Sequence, residues 1–77
     1  MTKTKVRVEL EKVLRKVYDD DDFVLGVLLD AENEENFKIL LDFIKEGKNV
    51  TPANVIMLSL DLHNGGREYY EKYWKEE

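Results

Sequence analysis

The sequence predicts an all-α protein: a small orthogonal or up-down bundle of four helices plus a short C-terminal helix. Three observations predict it. Apolar residues recur at helical spacing along most of the chain. Helix start and stop signals punctuate those runs, most sharply between Asn33 and Gly65. No alternating segment finds a second one to pair with, and a lone strand leaves its backbone groups unsatisfied.

The first helix is expected over roughly Lys5 to Tyr18, where Val6, Leu10, Val13, Leu14 and Val17 share one stripe. Val6 to Leu10 also alternates, as a short opening strand would, but without a partner strand the helix wins. Asp19, Asp20, Asp21 and Asp22 form an acidic run between apolar segments. A calcium loop needs alternating oxygen ligands, a turn glycine and a closing glutamate, and that pattern is absent. One aspartate is therefore expected to cap the next helix, with its neighbours at the positive end of the helix dipole.

From Phe23 to Ala31 the chain is almost wholly apolar. Phe23, Val27 and Ala31 fall on one side with Val24 and Leu28 beside them, while Leu25 and Leu29 share another face. A helix this apolar is central, or has a second face covered by a partner; a buried strand is the alternative for so short a run. Gly26 costs about 1 kcal/mol relative to alanine in an exposed helix, so close approach of another helix backbone is its expected use.

The third helix, about Glu34 to Glu46, carries Phe37, Leu40, Leu41 and Ile44 as its core stripe, with Ile39 and Phe43 at the flanks. Asn33 suits its N-cap, Glu34 and Glu35 its first turn, and Lys45 and Gly47 its end. Thr51 and Pro52 open a fourth helix, since proline at the first position loses no hydrogen bond and has its φ pre-set. That helix, to His63 or Asn64, turns Val55, Ile56, Leu58, Ser59 and Leu62 inward, and Met57 and Leu60 widen its apolar arc. After Gly65 and Gly66, which allow a reversal or a hinge, Tyr69 and Tyr73 lie four apart, as do Tyr70 and Trp74. These four are half of the eight aromatic residues, and they make an aromatic stripe on a short helix from about Arg67 to Lys75.

Seventy-seven residues are expected to form a single helical domain, 1–77, with one small core. The charge is unevenly spread. Residues 1–17 are net +4, residues 18–46 net -8 and the remainder -1, for a total of -5. An acidic chain of pI near 4.9 has no general affinity for nucleic acid or anionic membrane. No cysteine is present, which removes disulfides, thiolate nucleophiles and cysteine-based zinc sites, and a cytoplasmic protein is the natural expectation. No apolar run approaches the roughly 18 residues of a membrane span. Lys3 and Lys5 lead straight into charged, periodic sequence, so no secretory leader is expected.

No catalytic set assembles. His63 is the only histidine, which excludes a histidine metal cluster within one chain, and its place before Asn64 and Gly65 suits a helix C-terminal cap. Ser59 and His63 are four apart, but nucleophilic catalysis would also need an orienting acid and oxyanion donors in a pocket. Asn64 to Arg67 lacks the spacing of a phosphate loop. A DNA-reading helix-turn-helix would need a basic second helix, and Pro52 to Asn64 contains no Lys or Arg.

The expectation is therefore a non-enzyme with no cofactor and no metal: a protein-interaction or regulatory module, binding a protein partner or forming a homodimer. Size and acidity alone suit a bacterial accessory protein. The alternative is an acidic inhibitor or nucleic-acid mimic, with Asp19 to Asp22, Asp30, Glu32, Glu34 and Glu35 as its charged surface. The candidate interaction residues are Tyr69, Tyr70, Tyr73, Trp74 and the four aspartates. For the aromatic stripe there are two readings: Tyr70 and Trp74 dock back over the bundle and close its open end, or the stripe faces another chain.

Overall fold

The computed structural model describes residues 4–74. Lys3 and Lys75, which entered the sequence reading, lie outside the described residues. Four helices follow in order: α1 Lys5–Val17, α2 Asp21–Ala31, α3 Glu34–Glu46 and α4 Pro52–Tyr73. There is no strand among the described residues. The protein is a four-helix bundle of a kind consistent with the orthogonal class.

Each helix begins on the side chain its sequence offers. Thr4, Asp20, Asn33 and Thr51 accept hydrogen bonds from the amides of Arg7, Phe23, Asn36 and Asn54, satisfying donors that a helix N-terminus otherwise leaves orphaned. Gly47 ends α3 with φ 76°, the left-handed conformation glycine reaches without a side-chain clash. Between α2 and α3 the chain turns more tightly than the sequence indicates. Glu32 takes φ 79° and ψ -48°, and the Asn33 amide donates to Ala31 O at 3.0 Å across it, a three-residue turn with a strained centre.

The helices pair out of sequence order. α1 packs mainly on α3, and α2 mainly on α4, while the consecutive pairs α1–α2 and α2–α3 touch little. Leu10, Leu14, Leu40, Val55 and Leu58 meet at the centre with no exposed surface, and Val27 and Leu62 lie within 2% of it. The buried positions follow the predicted stripes: Leu10 and Leu14 on α1, and Phe23, Val24, Val27, Leu28 and Ala31 on α2.

α4 is assigned as one helix, but Gly66 interrupts it with φ 65° and ψ -153°, a region open essentially to glycine alone. The short C-terminal helix expected from sequence is the portion beyond this break. Gly65 has a separate reason to be glycine: a Cβ there would lie 2.5 Å from Tyr69 Cβ.

Several expectations are corrected. A Cβ built on Gly26 meets nothing within 4 Å, so no helix backbone approaches it. Ile56, expected inside, is 40% exposed because the buried face of α4 centres on Val55, Leu58, Ser59 and Leu62. His63 does not end its helix; α4 runs past it to the break at Gly66. Asn36 was unforeseen as a core residue: its amide donates to Ala31 O at 2.6 Å and Leu62 O at 3.4 Å, tying α3 to both neighbouring helices.

Candidate interaction surface

The break at Gly66 sets the direction of the last helical segment, and so decides which aromatics are covered. Tyr70 is buried and belongs to the core. Trp74 packs against that core, meets Phe43 edge-on with ring centres 5.6 Å apart, and donates from Nε1 to Asp61 at 2.8 Å. Tyr70 and Trp74 therefore close the end of the bundle. Burial, reinforced by the carboxylates of Glu46 and Asp42, raises the Tyr70 phenol above its ordinary pKa. Tyr69 and Tyr73 occupy the other side, 37% and 57% exposed, with ring centres 4.5 Å apart and Lys72 beside Tyr73. The single aromatic stripe expected from the four-residue spacing is split in the structure: Tyr70 and Trp74 pack inward, while Tyr69 and Tyr73 face solvent.

The four aspartates also divide by role. Asp20 caps α2 through the Phe23 amide, while Asp19 and Asp21 accept from the Arg15 guanidinium at 3.0 and 2.6 Å. Asp22 is exposed in the first turn of α2. Arg15 thereby staples the end of α1 to the start of α2, although pairs this exposed contribute little to stability.

Glu32, Glu34 and Glu35 lie at the opposite end of α2, about 15 Å away at 1.5 Å per residue. There Glu32 Oε2 is 3.3 Å from His63 Nδ1, and Glu35 Oε2 is 2.7 Å from Arg67 Nε. Further along the basic first helix, Glu9 is bound by Lys45 of α3. Opposite charges thus meet within the chain at several edges, and the acidic residues are split between two ends.

Ser59 and His63 are not brought together as a reactive pair. Ser59 is fully buried and donates its hydroxyl to Ile56 O at 2.7 Å, whereas His63 is exposed beside Glu32. Among the described residues, no group of three or more His, Asp or Glu side chains is placed to hold a metal ion. No helix of the described residues is long and apolar enough to cross a membrane.

Two sets of uncovered side chains are apolar. On α2, Leu25 and Leu29 are 53% and 76% exposed; with Leu28, Phe37, Arg7 and Glu32 they line a shallow groove. On α4, Ile56, Met57 and Leu60 are 40%, 54% and 43% exposed and occupy adjacent turns of the outward face. Neither set was singled out as a site by sequence. The signal was nonetheless present, since both segments carry apolar residues on more sides than one core contact uses. No protein-family model matches the chain, and neither the curated proteins nor the solved structures give a match.

Proposed function

We propose that the protein is a non-catalytic interaction or regulatory module that acts by docking another protein surface. The observation carrying this reading is the outward placement of Leu25, Leu29, Ile56, Met57 and Leu60, each 40% exposed or more. Scattered apolar residues are normal on a surface, but clusters on consecutive turns mark contact sites. These side chains leave large apolar area in contact with water. The acidic-inhibitor alternative lacks a comparable feature, because its carboxylates stand at both ends of α2 and Asp19, Asp21 and Glu35 already hold arginines.

The test is affinity capture from the source organism with two tags, comparing the wild type with Leu29→Lys and Leu60→Lys. The reading predicts a specific protein, or a differently tagged copy of the chain, that one of the variants loses. Identical recovery with the wild type and both variants would contradict it.

A further inference from the structure

We propose that residues 67–74 are a latch with two positions: docked on the bundle through a bend at Gly65 and Gly66, or released as the straight continuation of α4. This device goes beyond the interaction reading and stands without it. Three observations carry it.

Both glycines serve the bend alone. Gly66 takes φ 65° and ψ -153°, a region that L-residues with a side chain hardly enter. A Cβ at Gly65 would lie 2.5 Å from Tyr69 Cβ, whereas positions four apart on an uninterrupted helix keep their Cβ atoms about 5–6 Å apart. A straight α4 would therefore accept alanine at either position and gain from it, since glycine is the poorer helix former.

The two positions use different aromatics. Val55 and Leu62 lie seven apart on the buried face of α4, and Tyr69 is seven further on. With 3.6 residues per turn, a straight helix brings Val55, Leu62, Tyr69 and Tyr73 within about 40° of one another. Tyr70 and Trp74, each one residue on, turn about 100° away. In the bent chain the roles are reversed: Tyr70 is buried and Trp74 docked, while Tyr69 and Tyr73 are 37% and 57% exposed. The segment thus carries one aromatic pair for the docked position and another that continues the buried stripe of α4.

The docked position is held from the far side of the bend by separable contacts. Arg67 Nε donates to Glu35 at 2.7 Å, Trp74 Nε1 donates to Asp61 at 2.8 Å, and the Trp74 ring meets Phe43. The centre of the core, Leu10, Leu14, Leu40 and Leu58, belongs to helix that precedes the bend. Release therefore opens the end of the bundle at Phe43 without removing its middle, and presents Phe43 together with the Tyr69 and Tyr73 stripe.

Trp74 is the only tryptophan of the chain, so its fluorescence reports the latch. Full-length wild type, the double variant Gly65→Ala with Gly66→Ala, and a synthetic chain with Gly66→D-Ala are compared by acrylamide quenching and by backbone Cα chemical shifts. The double alanine variant should show a several-fold rise in quenching, with helical shifts running unbroken through position 66 into 67–73. Gly66→D-Ala, whose mirror-image preferences suit φ 65° and ψ -153°, should keep Trp74 as protected as in wild type. Equal protection of Trp74 in the double alanine variant overturns the proposal. Exposure of Trp74 with non-helical shifts over 67–73 overturns it too, because the segment would then merely unravel. Loss of the α1 to α3 shifts in that variant would make the bend a condition of the whole fold, and an exposed Trp74 in the D-Ala chain would trace release to added bulk; either result rejects the latch.

Discussion

The inner and outer faces of α4 are built from the same kinds of residue and meet opposite fates. Val55, Leu58 and Leu62 are almost wholly buried against the other helices, whereas Ile56, Met57 and Leu60, interleaved with them, remain in water. The hydrophobic effect drives both faces away from solvent, but only one has a neighbour within the chain. On the inner side, hydrophobicity stabilises the fold. On the outer side, under the proposed interaction reading, it is available for association, and substitutions should separate the two.

Truncation after Gly66 should have the largest effect. It removes Tyr70 from the core, and Trp74 from Phe43 and Asp61, lowering the melting temperature markedly because two large aromatic surfaces are lost at once. A truncated chain that melts like wild type would show that this segment does not close the bundle. Next comes Leu58→Ala, which leaves a cavity at a fully buried position and should cost about 2–5 kcal/mol, much of the stability of so small a protein. Leu60→Ala, two residues away and 43% exposed, should stay within about 0.5 kcal/mol of wild type in dilute solution. Equal losses from the two in denaturant titrations would erase the distinction between the faces.

Two glycines sharpen the comparison at smaller scale. Gly66→Ala forces a side chain into φ 65° and ψ -153° and should destabilise by about 1–3 kcal/mol. Gly26→Ala enters open space on a regular helix and should stabilise by up to about 1 kcal/mol through helix propensity. Thermal melts showing the reverse signs would contradict both expectations.

Much of this fold was legible because helix boundaries are local. Each N-cap lies three residues before the amide it satisfies, so Asn33 and Thr51 could be read from short windows of sequence, and the cap of α2 could be narrowed to one of four aspartates, which the structure shows to be Asp20. The pairing of α1 with α3 and of α2 with α4 could not, since it depends on how four faces fit together. Asn36 illustrates the same limit: its partners Ala31 O and Leu62 O converge only in the folded chain. Gly26 invited a packing explanation that the structure does not support, and no other role for it is evident. The candidate site was half legible. The spacing of Tyr69, Tyr70, Tyr73 and Trp74 gave an aromatic stripe, but the turn at Gly66 determined which of its residues dock. The excess apolar character of α2 and α4 was visible, whereas the exposed positions depended on the direction from which the neighbouring helices approach.

The most direct measurement of whether the uncovered apolar faces are an interface is the change in backbone amide chemical shifts of the wild-type chain on addition of the protein it captures. Shift changes concentrated between Ala53 and Asn64 or at Leu25 to Leu29 are the predicted result. Shifts that stay constant, or move mainly on α1 or at Tyr69 to Tyr73, would contradict it.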